Sequence, residues 1–375
     1  MYIIFICFTL YILYKVADII KHKGFKDLNI YRTVDKNRVF KDEEFKITTI
    51  LENKKRLPIS FVYVKEKFYS TFQFAQNNVE DENEGFKFNV SKYSLRGYER
   101  RVKTIRLKAS KRGVYTISDV NVTIGDIFGY AVEEKEIRNY IEIIVYPEVK
   151  NINEYKFSST SLYGDNIIKR WIYKDPLFIR GIREYAIGDR LKDVHWSSSA
   201  KMNKLMVKEY DYTSERELII MINVEYGKEI WSSTHEVEVE NAISIAASLA
   251  AQSIKSGIDT GMWTNARIVS PSSGEVSTEI RPSVNSLKSI LELCARMYNM
   301  QNESFIGLLK RNIKKFNNNC TYVIIASFLS EEVQKFIYDL SLKGIDIILI
   351  DVSSNLKLSK IRGIEKVDFK GGEII

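Results

Sequence analysis

Apolar residues fall into three different patterns along this chain. Met1–Tyr14 (MYIIFICFTLYILY) is apolar throughout apart from Thr9. As a helix the run reaches about 21 Å, short of the roughly 30 Å hydrocarbon core of a bilayer. Continuing it through Lys15 and Asp18 to Ile20 supplies the missing length, because Lys15 can snorkel and Asp18 sits near the end of the span. The pattern predicts one membrane helix over residues 1–20. No basic residue precedes the run and no small-x-small cleavage site follows it, which favours an anchor over a removed signal peptide. Lys15, Lys21, His22, Lys23 and Lys26 flank it on the carboxyl side, so the positive-inside bias predicts a single-pass protein of the cell membrane with its bulk in the cytoplasm.

From residue 29 to about 150 the pattern changes to short alternating runs. Phe45–Leu51 alternates, Ile59–Lys67 is β-branched and aromatic, and Val102–Leu107, Val114–Ile117 and Val120–Ile124 continue the series. Even spacing of short strands with turns between them predicts an antiparallel β-sandwich. The tract Gln76–Gly85, rich in Asn, Asp and Glu, has no apolar period and reads as a loop. From residue 217 the pattern changes again. Glu217–Val224 (ELIIMINV) is nearly continuous, as a parallel strand covered on both faces requires. Ser233 and Glu236 form a capping box, after which Val239, Ala242, Ile243, Ala246, Leu249, Ala250 and Ile254 recur at helical spacing up to Gly257. Helices over 284–298, 305–316 and 331–343 alternate with buried strands at 321–326 and 345–352. The alternation predicts a doubly wound α/β domain over 217–375.

At 375 residues the chain is long enough for more than one core. Its composition, 45% hydrophobic and 28% charged with only 5 Pro, excludes a disordered or low-complexity protein. The net charge of +8 leaves anionic lipid, nucleic acid and acidic proteins open as partners. Three cysteines cannot build a disulfide framework: Cys7 lies in the apolar run, and Cys294 and Cys320 read as buried thiols in a reducing compartment. Three His and three Cys, scattered singly, form no zinc spacing.

Between the two folded segments lies Asp175–Tyr210 (DPLFIRGIREYAIGDRLKDVHWSSSAKMNKLMVKEY). Arg180, Gly181, Ile182, Arg183, Glu184, Tyr185, Gly188, Asp189, His195, Trp196, Ser199, Ala200, Lys201 and the run Leu205–Tyr210 resemble the signature of the bacterial family called domain of unknown function 58. Arg112-Gly113-Val114-Tyr115, Asp126-Ile127-Phe128-Gly129 and Val145-Tyr146-Pro147 match that family's upstream landmarks in order. The resemblance covers nearly the whole chain after residue 30. It implies a membrane-anchored β-sandwich followed by a von Willebrand factor A-like domain, working beside a MoxR-type AAA+ ATPase in assembly or activation of protein complexes. The family's own biochemical activity is not established.

A von Willebrand A-type domain often holds Mg²⁺ through an Asp-x-Ser-x-Ser motif. Here the aligned positions are Asn223, Glu225 and Gly227, and the further position after the second buried strand is Ser327, so the motif is degenerate and no metal or other cofactor is expected. In the signature block, Arg180, Arg183, Arg190, Lys192, Lys201, Lys204 and Lys208 surround Asp189, Asp193 and His195. Such a set suits a phosphate ester, with guanidinium forks for the anion and His or Asp for proton transfer. The bland reading makes Arg183, Asp189 and Trp196 a buried clamp that locks the connecting segment to the α/β sheet. No nucleophile or glycine-rich phosphate loop accompanies the cations, which favours the clamp. Arg96, Tyr98, Arg100 and Arg101, with Lys208, Tyr210 and Tyr212, interleave aromatic and basic residues, but no nucleic-acid-binding motif is present and no nucleic-acid partner is expected.

The expected organisation is multidomain, α and β: a membrane anchor over 1–20, a β-sandwich over 29–150, a connecting segment over 151–216, and a von Willebrand factor A-like (Rossmann-like) doubly wound domain over 217–375. The expected function is a membrane-anchored, non-enzymatic scaffold or adaptor whose partners are an AAA+ ATPase of MoxR type and the lipid bilayer. Arg180, Arg183, Tyr185, Gly188, Asp189, His195, Trp196, Ala200 and Lys208 form the clamp or partner site. The alternative is a phosphate-directed hydrolase using Arg183, Asp189 and His195.

Overall fold

The computed structural model describes residues 23–369 apart from 76–78, 84, 126–131, 156–178, 187–188, 190–193, 211–216, 228–232 and 271–275. Before residue 23 it describes only Tyr2, Ile4, Ile6, Phe8, Tyr11 and Lys15, all helical. The chain divides into two compact units, residues 1–148 with 270–274 and residues 149–269 with 275–375.

The first unit is built from strands β1 (Leu28–Val34), β2 (Arg38–Phe40), β3 (Glu44–Asn53), β4 (Ile59–Tyr69), β5 (Phe72–Phe74), β6 (Val79–Asn83), β7 (Phe86–Leu95), β8 (Arg100–Ala109), β9 (Gly113–Gly125) and β10 (Val132–Tyr146). They form a four-stranded sheet in the order β1-β3-β8-β5 and a six-stranded sheet in the order β2-β10-β9-β4-β7-β6. All neighbours are antiparallel except β2 and β10. The tract read as a loop thus contains β6, which pairs with β7 from Val79 to Asn83. Backbone pairing needs no apolar side chain, so an Asn- and Glu-rich edge strand leaves no hydrophobic period in the sequence.

Alternation places Phe45, Ile47, Phe68, Leu107 and Ile117 in one buried cluster, and Leu51, Val62, Val64, Val120 and Val122 in a second. Five strands also carry a buried or half-buried polar residue: Arg32 on β1, Thr49 on β3, Glu66 on β4, Asn89 on β7 and Asn139 on β10. Glu66 is buried and accepts from Thr49 Oγ1 (2.6 Å) and Asn89 Nδ2 (3.0 Å). Arg32 Nη2 donates to the carbonyls of Ser118 (2.6 Å) and Asn139 (2.7 Å), next to the register shift between Arg138 and Ile141. The Arg112-Gly113-Val114-Tyr115 motif begins β9. Gly113 adopts φ +148°, a conformation that favours glycine, and the Tyr115 hydroxyl reaches back to donate to the Lys111 carbonyl at 2.9 Å.

After a 3-10 turn over Ile152–Glu154, the second unit forms a hairpin of β11 (Ile179–Glu184) and β12 (Met206–Tyr210), with helix α1 (Trp196–Met202) between them. It continues through β13 (Glu217–Asn223), α2 (Ser233–Lys255), β14 (Thr260–Thr264), β15 (Ala266–Ile268), β16 (Glu279–Ser283), α3 (Leu287–Arg296), β17 (Met297–Gln301), α4 (Phe305–Arg311), β18 (Cys320–Ala326), α5 (Glu331–Leu342), β19 (Asp346–Asp351) and β20 (Glu365–Asp368). A six-stranded mixed sheet runs in the order β16-β14-β13-β18-β19-β20, with β16 antiparallel to β14 and the other pairs parallel. Gly257, at φ +81°, follows α2, and Ser330 caps α5 by accepting from Val333 N at 3.3 Å.

Two expectations are corrected here. Among the described residues strand outweighs helix, 46% against 24%, and a Rossmann-like domain of von Willebrand A type is not what they show. The expected strand–helix alternation is interrupted between β14 and β18. The helix predicted to reach Tyr298 stops at Arg296, and Met297–Gln301 becomes β17, paired antiparallel with β15. The helix predicted to reach Phe316 ends at Arg311. Side-chain periodicity marks a helical face but not the point at which the backbone leaves it.

The second correction concerns the membrane. Among the described residues no helix is long and apolar enough to cross a bilayer, against the single-pass expectation. Most of the anchor predicted over 1–20 lies outside the described residues. The apolar run itself ends at Tyr14, about 21 Å along a helix, and needs the charged Lys15 and Asp18 to extend it.

Candidate functional site

The signature block folds as the β11–β12 hairpin. Register pairs Ile182 with Lys208, Arg183 with Val207 and Glu184 with Met206, and Val194 bridges to Val207. Val194, Met206 and Val207 are buried and form the apolar base of the hairpin. The same end is stapled by Ser199, whose Oγ donates to the His195 carbonyl (3.0 Å) and accepts from Met206 N (2.9 Å). The His195 amide donates to the Met206 carbonyl at 2.8 Å and the Tyr185 amide to the Leu205 carbonyl at 2.9 Å.

Arg183 and Asp189 do meet. Arg183 Nη1 donates to Asp189 Oδ2 at 2.6 Å and Nη2 to Oδ1 at 2.7 Å, a bidentate fork. Asp189 Oδ2 also accepts from Ala186 N at 2.8 Å. The Arg183 hydrogen bond, followed by the Ala186 amide, lowers the Asp189 carboxyl to about 2. The pair lies at the surface, with the Arg183 side chain 44% exposed and that of Asp189 17% exposed. Trp196 is 66% exposed, so it fills no core. The buried clamp is therefore corrected to a surface ion pair beside an exposed indole.

His195 is the residue before α1 and caps it. Its Nδ1 accepts from Ser198 N at 3.2 Å and lies 3.2 Å from Ser197 Oγ. The hydrolase reading needs Arg183 and Asp189 for substrate, yet each is taken up by the other, and His195 Nδ1 serves the helix terminus. Ala200 is exposed on α1, Tyr185 and Lys208 are half-buried, and Arg180 lies on β11. Gly188, Arg190, Lys192, Asp193 and the Asp126-Ile127-Phe128-Gly129 landmark lie outside the described residues.

The block also exposes Met202, which no sequence pattern singles out, beside members of the family signature. No residue of α1 is buried: Met202 is 64% exposed, and Leu205 just beyond it 47%. Ile182 is exposed on β11, and Lys204 pairs with Glu184 at 2.8 Å. The available signal was aliphatic residues set singly among lysines, without a 2.0 or 3.6 period.

The degenerate metal positions gather at the carboxyl end of β13. Asn223 Nδ2 donates to the Phe328 carbonyl at 2.8 Å, and its Oδ1 accepts from Asn265 Nδ2 (2.9 Å) and Glu225 N (3.0 Å). Asn265 Oδ1 accepts from Val224 N at 3.0 Å. Glu225 Oε1 accepts from Phe305 N, the first residue of α4, at 2.6 Å, and burial raises its carboxyl above the ordinary value. Gly227 lies against the Phe328 ring, and Ser327 is half-buried. A hard divalent cation wants several oxygen ligands and retained waters. A neutral amide already accepting two N–H groups beside one half-buried carboxyl does not fit it. The cluster instead ties the β13 loop to β14, α4 and the loop after β18.

Residues 181–357 match the family described as "Protein of unknown function DUF58". The match supports the DUF58 resemblance of the signature block. It begins within β11 and ends beyond β19, so the DUF58 stretch holds both the hairpin and the Asn223 cluster. No curated protein matches the chain. Among solved structures, the CARDB domain of the PF1109 protein from Pyrococcus furiosus, determined with di-metal ions, is 15% identical with a TM-score of 0.22 and covers 32% of this chain and 92% of that one. A non-cellulosomal cohesin from Archaeoglobus fulgidus is 11% identical with a TM-score of 0.21, covering 30% of this chain and 91% of that one. Likeness at that level carries no argument about this protein.

Proposed function

We propose that this protein is a non-enzymatic scaffold or adaptor that docks a protein partner through the β11–β12 hairpin, the partner being an AAA+ ATPase of MoxR type engaged in assembly or activation of protein complexes. The observation that carries the reading is the exposure of Trp196, Met202 and Leu205 within ten residues of one another, on an element whose base is held by buried Val194, Met206 and Val207. Large exposed apolar side chains close together in sequence on one element are a common mark of a protein–protein contact, and Trp is among the residues most often found at its energetic centre. The ATPase is the partner suggested by the family resemblance. The test is direct binding of the full chain to a purified MoxR-type AAA+ ATPase by biolayer interferometry. Saturable binding that weakens about tenfold on Trp196→Ala is expected. Failure to bind in any nucleotide state removes the ATPase from the reading.

A further inference from the structure

Strand β10 is covered along only part of one edge. On one side β9 accompanies it from Val132 to Val145, while on the other β2 reaches it only over residues 144–146. The carbonyl of Asn139, at the register shift, is taken by Arg32 Nη2 at 2.7 Å. That leaves residues 132–138, where no described strand pairs with β10 on the side away from β9. In an antiparallel ladder every second residue turns both its N–H and its C=O away from the partner, so this stretch presents a row of donors and acceptors outward. β1 is an edge as well, pairing with β3 alone among the described strands. An open groove of about 460 Å³ runs between the two edges, walled by residues 28–31 of β1 and 135–138 of β10. The apolar core is thinnest here. Leu28 and Ile30 are 9% and 8% exposed, the other buried members of their cluster are exposed by 2% or less, and half-buried Ile137 packs against them.

We propose that this groove is a strand-addition site: an extended peptide of a partner protein pairs its backbone with β10 over residues 132–138, along the edge that β2 already occupies higher up, and turns every second side chain, an aliphatic one, onto Leu28, Ile30 and Ile137. The site lies in the first unit and is independent of the hairpin. Three observations favour a peptide strand. An edge carrying both donors and acceptors is complemented by a second backbone, whereas phosphate esters and lipid headgroups offer mainly acceptors. Walls of four residues span about 14 Å of strand at about 3.4 Å per residue, a length over which main-chain pairing supplies affinity and alternate side chains supply selectivity. The rim is of mixed sign, Lys135 and Arg138 with Glu136, which suits a neutral strand better than a polyanion.

The experiment uses the full chain and a labelled peptide of alternating valine and threonine, capped at both ends. Binding is followed by fluorescence anisotropy, and amide hydrogen exchange of the protein is measured with and without the peptide. The peptide is expected to bind and to slow exchange within residues 132–138 at least tenfold, leaving β3 unchanged. N–H direction alternates along a strand, so two further peptides, each N-methylated on one set of alternate residues, separate backbone pairing from apolar contact. One of the two is expected to bind at least tenfold more weakly. Ile137→Lys should weaken the unmethylated peptide about tenfold, with thermal melting to confirm its fold; if that variant does not fold, exchange in the unaltered chain decides. Trp196→Ala should leave peptide binding unchanged, which keeps this site distinct from the hairpin. No binding, binding without protection of residues 132–138, equal binding of both methylated peptides, or loss of binding in Trp196→Ala overturns the inference. So does a dimer in sedimentation whose amides over 132–138 are protected before peptide is added, because a second copy of the chain is then the occupant.

Discussion

Arg183 and Asp189 form a two-pronged ion pair at 2.6 and 2.7 Å that closes the β11 end of the signature hairpin, with the arginine exposed and the carboxylate half-buried. That exposure separates its geometric role from a stabilising one, because water screens the attraction and the surrounding protein does not depend on it. Arg183→Ala and Asp189→Ala should therefore leave the melting midpoint close to that of the parent. Partner binding should fall, since the loop that the fork holds becomes looser. Calorimetry and the binding assay together check this; a large drop in melting temperature would return the pair to a buried clamp.

The same pair has a defined acid limit. Its carboxyl is depressed from the ordinary 3.8 to about 2, so the contact it makes is complete above the ordinary value and is lost as pH falls through about 2. A carboxyl-carbon NMR titration of Asp189 should show a midpoint near 2 that moves up toward the ordinary range in Arg183→Ala.

Asp351 is the buried counterpart. Its Oδ1 accepts from Ser353 N (2.9 Å) and Ser353 Oγ (2.6 Å), its Oδ2 accepts from Leu358 N (3.1 Å), and Lys366 Nζ on β20 lies 2.9 Å away. One carboxylate thus shapes the loop after β19 and pairs with the neighbouring strand. Asp351→Ala removes all four contacts and should cost about 3 kcal/mol in urea unfolding. Asp351→Asn should cost less, because the amide oxygen still accepts from the loop.

Glu279 ties the edge strand β16 to α4 and the turn that follows it. Burial pushes its carboxyl up, but hydrogen bonds from Asn312, Lys315 and Arg311 outweigh burial and bring it down to about 2. The contribution is present above the ordinary value of 4.5 and lost as pH falls through about 2. Glu279→Gln should flatten the acid limb of the unfolding curve measured between pH 5 and pH 2.

The polar belt in the first unit invites a double-mutant cycle. Arg32→Met removes a buried cation whose charge acts on buried Glu66, and Glu66→Leu removes the larger of the two anionic influences on Arg32, Asp119 being the other. Each single change should destabilise by about 3 kcal/mol, and the double mutant by clearly less than their sum. Additive losses would show that the two charges are independent.

Particular elements show what was legible. The alternation of Phe45–Leu51 and the apolar run Glu217–Val224 locate β3 and β13 directly, because side-chain burial imprints a period on the chain. The degenerate Asn223 and Glu225 are also readable as residue types, since the chemistry of an amide is carried by the residue itself. β6, β15 and β17 were not legible, because short strands are decided by the neighbour that pairs with them. The polar belt was likewise hidden: Arg32, Glu66 and Asn139 are far apart in sequence and look like surface residues singly.

By itself the sequence determined where apolar side chains recur, which residues carry charge, and that residues 180–208 concentrate half of the positive excess. These are properties of the residues and of their local spacing, and they survive any fold. Only the tertiary structure decided that Trp196 faces outward, that Arg183 and Asp189 are spent on each other at the surface, and that Asp351 is the buried hub. Exposure and pairing depend on what the rest of the chain brings alongside, and one-dimensional spacing holds no record of that.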